Sequence, residues 1–148
     1  MSWHVENSIL EIEEDKSNST SRNGEEDKMI LILEDNVDLG YVMKNIFQTV
    51  FHEECFVTAN IQDAILCLCT EDIRLVMSDI DLGAFSGLDF IRKIKKLKPH
   101  SSPPIVAFTA MSTGNRLFGE VATLCDAVYE KGSISTVEMC KQIYTLLK

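Results

Sequence analysis

The sequence predicts an α/β fold, a doubly wound parallel sheet of five strands with helices on both sides. Short apolar runs flanked by charge recur along the chain, as in strands that are buried on both faces. A stretch with apolar residues at three- and four-residue spacing, the period of an α-helix, follows each run. The links are short, and 148 residues suit one domain. Strict alternation of strand and helix in such a chain favours a parallel sheet.

Five strands and five helices are predicted in order from residue 29. The strands are MILIL (29–33), CFVT (55–58), LVMS (75–78), IVAFT (105–109) and AVYE (127–130). The first four helices are predicted over 37–51, 61–70, 87–98 and 112–125. Ser135 and Glu138 resemble a capping box that opens the fifth.

Apolar spacing also predicts which helix side chains face the sheet. They are Val42, Ile46, Phe47 and Val50 in the first helix, Ile61, Ile65, Leu66 and Cys69 in the second, Leu88, Ile91, Ile94 and Leu97 in the third, and Val137, Ile143 and Leu146 in the last. The fourth helix contains Gly114 and Gly119, each of which costs roughly 0.5–1 kcal/mol relative to alanine. We therefore expect it to be the least rigid.

Polar side chains stand where the strands end, and ligands of such sheets bind outside the carboxyl ends of the strands. The commonest short strand order, 2-1-3-4-5, brings most of these ends together. The residues are Glu34 and Asp35 after strand one, Asp79 and Asp81 at strand three, Thr109 at strand four and Lys131 after strand five. Clustered carboxylates repel one another, and a hard cation relieves that repulsion. Oxygen ligands without His or Cys select Mg²⁺ or Mn²⁺ over zinc.

Asp79 is the best candidate for a nucleophile in this cleft. An aspartate can attack phosphorus and form an aspartyl phosphate. Asp79 ends the central third strand, midway between the acidic pair and the pair of Thr109 and Lys131. The lysine and a metal ion can neutralise the charge on the transferred phosphoryl group, and the hydroxyl can donate a hydrogen bond to it.

Four segments, ILILEDN, VMSDIDLGAFSG, IVAFTA and AVYEKG, resemble the receiver domain of two-component response regulators in order and spacing. The resemblance covers residues 28–148, implies the flavodoxin-like (βα)5 fold, and leaves residues 1–27 as an acidic N-terminal extension. It implies that Asp79 is the phosphoacceptor and that Asp35, Asp79 and the backbone carbonyl of Asp81 hold Mg²⁺. Glu34 would assist through water.

The resemblance also implies a switch. Thr109 would hydrogen-bond the phosphoryl group, and Lys131 would pair with it. The donor would be a phosphohistidine on a sensor histidine kinase or a phosphotransfer protein. The fourth helix and fifth strand would rearrange and change a face for a downstream partner protein or for self-association. Beyond its own phosphorylation and dephosphorylation the domain would catalyse nothing, so we predict no enzyme.

Three positions depart from the family pattern. Gly83 stands where the family often has proline, and Gly132 follows the lysine where a cis-peptide proline is usual. Val128 occupies the place of a switch Tyr or Phe, while Tyr129, the next residue, should face the other way on a strand. The residues that phosphoryl acceptance requires are therefore present, whereas the aromatic switch residue that is usual in the family is absent.

Two other functions are compatible with parts of the pattern. A receiver that binds partners without being phosphorylated is one. The missing aromatic leaves this function open, whereas the presence of Asp35, Asp79, Thr109 and Lys131 argues against it. The other is an aspartate-dependent phosphohydrolase, because DIDLG (79–83) resembles the DxD nucleophile motif of those enzymes. In those hydrolases the DxD segment opens the fold and the acidic metal-binding pair comes last, whereas here Glu34 and Asp35 come first.

Charge and composition exclude several classes of function. The net charge is −9, which argues against nucleic acid binding, and the basic run RKIKKLK (92–98) has the spacing of a solvated helix face. No apolar run reaches the ~18 residues of a membrane span, and a signal peptide is not evident. The five cysteines show no metal-ligand spacing and suit free thiols in a reducing compartment. We therefore expect a cytoplasmic protein without membrane insertion.

Overall fold

The computed structural model describes residues 28–82, 85–110 and 116–147, and its main sheet has five parallel strands. These strands are β1 (Met29–Leu33), β2 (Glu54–Thr58), β3 (Ile73–Asp79), β4 (Ile105–Thr109) and β5 (Ala127–Glu130). Their order across the sheet is β2-β1-β3-β4-β5. The predicted fold class and strand order are confirmed.

Five helices alternate with these strands in the described part of the chain. They are α1 (Val37–Val50), α2 (Ile61–Thr70), α3 (Gly87–Leu97), α4 (Arg116–Leu124) and α5 (Thr136–Thr145). Four of them begin after a residue whose side chain accepts a backbone N–H of the first turn, namely Asn36, Asn60, Ser86 and Ser135. A short antiparallel ladder, Asp81–Leu82 with Phe85–Ser86, links β3 to α3.

The sheet carries a separate apolar layer on each face, because successive strand residues point to opposite sides. Leu31 and Leu33 of β1 belong to the layer formed with α2, α3 and α4. Ile30 and Ile32 belong to the layer formed with α1 and α5. All four side chains are fully buried, so β1 lies in the middle of the core.

The prediction that helix side chains face the sheet is wrong at several positions, where the side chain is exposed to solvent. The exposed ones are Val42 and Val50 in α1, Leu66 and Cys69 in α2, Leu97 in α3, and Val137 and Leu146 near the two ends of α5. In α2 the buried residues are instead Ala64, Cys67 and Leu68. That helix is apolar on nearly every side, so spacing alone does not select its buried face.

Three features considered in the sequence analysis fall outside the described residues. They are the N-terminal extension (residues 1–27), Gly83, and the first part of the predicted fourth helix (residues 112–115). Among the helices that the structure describes, none combines the length and the apolar character that a membrane crossing requires.

Candidate functional site

The candidate site lies at the carboxyl ends of β1, β3, β4 and β5. Leu33 of β1 pairs with Ser78 of β3, and Asp79 pairs with Phe108 of β4. The residues that follow these pairs therefore emerge at the same level of the sheet. Parallel pairing across four strands places segments that are far apart in sequence around one cleft.

Three carboxylates form a cluster at this edge. Glu34, Asp35 and Asp79 each offer an oxygen atom, and these atoms lie within 4.8 Å of one another. Glu34 and Asp79 are only 2% and 1% exposed, whereas Asp35 is exposed to solvent. Successive residues of an extended chain point to opposite sides. Glu34 therefore reaches the cluster from the protein interior, and its neighbour Asp35 reaches it from the solvent side. An all-oxygen set of this kind fits Mg²⁺ or Mn²⁺.

The ammonium group of Lys131 lies between the two buried carboxylates. Its Nζ atom is 3.0 Å from Asp79 Oδ2 and 3.1 Å from Glu34 Oε1. The backbone N–H of Lys131 donates to the carbonyl of Thr109 (2.8 Å), and this hydrogen bond fixes the backbone of Lys131 beside β4. The ammonium also lies 5.3 Å from the centre of the Phe108 ring, within the range of a cation–π interaction.

Backbone N–H groups hold the remaining carboxylate oxygens. Asp79 Oδ1 accepts from the N–H of Asp81 (3.0 Å), and Glu34 Oε2 accepts from the N–H of Asn36 (2.9 Å). Glu34 Oε1 is buried and meets the Lys131 ammonium as an ion pair, without hydrogen-bonding geometry. A buried acceptor with spare capacity, beside two further carboxylates, is the surrounding that a cation, or water bound to one, would complete.

Burial controls the protonation of this cluster. Desolvation raises the pKa of Glu34 from 4.5 to about 7, against the lowering effect of the Asn36 N–H. Desolvation also raises the pKa of Asp79, although Lys131 opposes it. For Lys131, burial lowers the pKa, but its contacts with Asp79 and Glu34 outweigh burial and raise it. The site therefore holds two carboxyl groups that are costly to ionise together without more positive charge.

We expect the metal-free protein to lose stability as the pH rises from 4.5 to about 7. A carboxyl group whose pKa is raised by folding stabilises the fold below its unfolded pKa, and that contribution disappears as the pH passes its folded pKa. Urea unfolding in the presence of a chelator should show a fall on the order of 2 kcal/mol in the free energy of unfolding. Glu34→Gln should flatten the profile, and a rise in stability over this interval would contradict the assignment.

Thr109 and Asp81, the other predicted site residues, border the cluster. Thr109 is fully buried at the end of β4, and its carbonyl holds Lys131 in place. Asp81 is exposed and reaches Asp79 through its backbone N–H, and its carboxylate is not part of the cluster of three. Its predicted role as a metal ligand through the backbone carbonyl stays a prediction.

Gly87 is a residue of the site that sequence reasoning did not single out. It opens α3, and its N–H donates to the carbonyl of Ile80 (3.0 Å). A Cβ atom at this position would lie 2.0 Å from the backbone oxygen of Asp79. The backbone of α3 thus passes directly against the residue that carries the candidate nucleophile, and only glycine fits there. The signal for it was the last glycine of the VMSDIDLGAFSG segment.

The turn after β5 explains why the chain has glycine rather than proline behind Lys131. Gly132 has a φ angle of +88°, and the N–H of Ser133 returns to the carbonyl of Glu130 (3.2 Å). A positive φ at the third position of a turn is the mark of a type II turn, which favours glycine. Proline cannot adopt this angle, because its ring holds φ near −65°.

We expect Gly132→Ala to cost roughly 1–2 kcal/mol of stability, because the added Cβ disfavours the left-handed backbone. Crowding is not the cause, since beyond the neighbouring residues no described atom lies within 4 Å of the place where the Cβ would stand. Gly132→Asn should cost less, as asparagine tolerates positive φ. Chemical denaturation of the three proteins measures the order, and an alanine variant as stable as the native protein would contradict the turn.

Comparison with solved structures places the fold among receiver domains. A response regulator receiver domain protein (CheY-like) from Methanospirillum hungatei superposes with a TM-score of 0.69 at 21% identity, over 81% of this chain and 93% of that one. The orphan response regulator HP1043 of H. pylori gives 0.68 at 22% identity, over 83% and 98%. TrrA from Thermotoga maritima, solved in complex with Mg²⁺ and BeF, gives 0.67 at 23% identity, over 80% and 98%.

The sequence itself matches one family. No curated protein matched the chain. A family model does match, that of the response regulator receiver domain, over residues 30–123. This span includes β1 to β4 and most of α4, with Glu34, Asp35, Asp79 and Thr109 inside it. The chain therefore belongs to the response regulator receiver domain family of two-component signalling.

Proposed function

We propose that this receiver domain accepts a phosphoryl group on Asp79 in a Mg²⁺-dependent reaction. The donor is a phosphohistidine on a sensor histidine kinase or a phosphotransfer protein. The observation that carries the proposal is the position of the Asp79 carboxylate, buried between the Lys131 ammonium and the Asp81 N–H and beside Glu34 and Asp35. This is a nucleophile with its charge-stabilising groups already in place.

Each residue has a separate part in the transfer. An Asp79 oxygen attacks phosphorus and forms the new O–P bond, while the bond to the donor nitrogen breaks and its electron pair returns to the imidazole. Lys131, 3.0 Å from Asp79, stays close to the transferred group and balances part of its charge. Thr109, at the adjacent strand end, supplies a hydroxyl for a phosphoryl oxygen.

A metal ion would be held by Asp35, Asp79 and the backbone carbonyl of Asp81, with Glu34 assisting through water. When bound, Mg²⁺ supplies positive charge to the phosphoryl oxygens and relieves repulsion between the carboxylates. The complex of TrrA with Mg²⁺ and BeF supports this assignment, because it is a related fold carrying both groups.

The output is a change in the face formed by α4 and β5. Thr109 connects the site to this face, since it pairs with Glu130 of β5. Val128 occupies the usual aromatic position and packs in the apolar layer that includes Val121 of α4. We propose that a downstream protein, or a second copy of this domain, binds there, and that the domain acts on no other substrate.

Incubation with a small acyl phosphate and Mg²⁺, followed by mass measurement of the intact protein, tests the proposal. We expect an increment of ~80 Da, the phosphoryl group that aspartate accepts. The increment should disappear in Asp79→Asn and on chelation of the metal ion. Asp81→Asn is the matched control, because only the backbone of Asp81 is assigned a role, and it should keep the increment.

Other results point to the alternative functions. A folded native protein without the increment would favour a receiver that binds partners independently of phosphorylation. Turnover of a generic aryl phosphate would favour a phosphohydrolase. An increment that persists in Asp79→Asn would refute the assignment of the phosphoacceptor.

A further inference from the structure

A groove between α2 and α3 lies outside the site described above. The two helices pack on the same face of the sheet and leave a groove of about 410 Å³. Its apolar lining consists of Ile61 and Ile65 of α2, which are partly exposed, and Phe90 of α3, which is only 1% exposed. The assigned phosphoryl chemistry uses none of these residues.

The rim of this groove is basic although the protein is acidic. Lys93 and Lys96 stand on the α3 side, and both are exposed. Arg92 and the acidic Asp89 also line the groove, but they pair with each other, and Arg92 pairs further with Glu120 of α4. Two lysines next to an apolar wall, in a chain of net charge −9, mark a surface that suits an acidic ligand with apolar side chains.

The chain itself contains a segment of that chemistry. Residues 1–15, MSWHVENSILEIEED, carry five carboxylates and neither lysine nor arginine. Val5, Ile9 and Ile12 recur at four- and three-residue spacing between these acids. The segment therefore offers negative charge to complement the lysines of the rim and apolar side chains to cover the wall of the groove.

The chain between this segment and the sheet is long enough for the segment to reach the groove. Residues 16–27 separate this segment from Lys28 at the start of β1, and extended chain covers about 3.3–3.6 Å per residue, so this stretch reaches roughly 40 Å. From Lys28 to the groove, the path must run along a strand of about 17 Å and cross a helix layer of about 10 Å. The charge, the apolar content and the reach of residues 1–15 are therefore all compatible with binding in this groove.

We propose that residues 1–15 bind in the groove between α2 and α3 of the same molecule. The apolar residues of the segment contact Ile61 and Ile65, and its carboxylates lie near Lys93 and Lys96. This groove does not include Asp79, so binding of residues 1–15 there does not depend on the proposed phosphorylation.

Fluorescence of Trp3, the one tryptophan of the chain, tests this proposal on the full-length protein. In the native protein we expect its emission to be shielded from a soluble quencher. The variant with Lys93→Glu and Lys96→Glu should expose Trp3 and lower its anisotropy, because two attractions become repulsions and the binding equilibrium should fall roughly tenfold. High salt should act in the same direction.

Two controls separate this proposal from its alternatives. Lys141→Glu reverses an exposed charge on α5, on the other face of the sheet, and should leave Trp3 shielded. Replacing Glu13 and Glu14 by lysine in the Lys93/Lys96 variant should restore shielding. Unchanged Trp3 fluorescence in the Lys93/Lys96 variant would overturn the proposal, and so would shielding that depends on protein concentration, which would indicate binding between two copies.

Discussion

Gly87→Ala should lower the free energy of unfolding by about 3 kcal/mol or more, the upper range for overpacked sites. The added Cβ would stand 2.0 Å from the backbone oxygen of Asp79 and 2.8 Å from the Cα of Ile80. These are backbone atoms, so no side-chain rotation relieves the collision. Either α3 or the end of β3 must move, and movement of β3 displaces Asp79 from Lys131. We therefore expect slower phosphoryl acceptance in any fraction that still folds.

Gly119→Ala provides the matched control for this prediction. Gly119 lies within α4, and a Cβ there meets no atom of another described segment within 4 Å. Alanine should stabilise this helix by roughly 0.5–1 kcal/mol. Urea denaturation of both variants gives the comparison. Equal stability of Gly87→Ala and the native protein would show that α3 does not approach β3 as described.

Lys131→Met should slow phosphoryl acceptance by roughly 100-fold or more, as expected when one preorganised charge-stabilising donor is removed. Methionine keeps an unbranched apolar side chain and removes the ammonium, which lies 3.0 Å from Asp79, 3.1 Å from Glu34 and 5.3 Å from the centre of the Phe108 ring. Two buried carboxyl groups then lack their cation. In the metal-free protein this should raise the pKa of both further and reduce stability near neutral pH.

Time courses with a small acyl phosphate, followed by mass measurement, check the rate. Lys141→Met, on the exposed surface of α5, is the control and should react as the native protein does. Mg²⁺ should restore more stability to Lys131→Met than to the native protein, because it replaces the missing charge. A variant that accepts the phosphoryl group at the native rate would remove Lys131 from the proposed chemistry.

The fold was predictable because its signals are local and repeated. Continuous apolar runs such as MILIL cannot lie on a half-exposed surface, so they predict strands covered on both faces. Alternation with helices then limits the sheet to parallel connections. The buried helix faces were less predictable, as Leu66 of α2 shows, because a helix that is apolar all round can turn several faces inward and packing against the sheet selects one.

Part of the candidate site was also predictable. The sequence places Glu34, Asp35, Asp79 and Lys131 at strand ends, and the structure brings these four residues together. Gly87 was missed as a contact of Asp79, since a steric requirement between two backbone segments leaves no periodic signal. Gly132 was noted only as a departure from the family pattern, and its positive φ explains it.

By itself the sequence determined the order of strands and helices and the residues that follow each strand, because hydrophobic periodicity and chain order are properties of the sequence alone. The tertiary structure decided which of two adjacent acids is buried. It places Glu34 inside, with a pKa of about 7, and Asp35 in solvent. Burial and distance depend on the packing of elements remote in sequence, and these set the cost of ionising each carboxyl group.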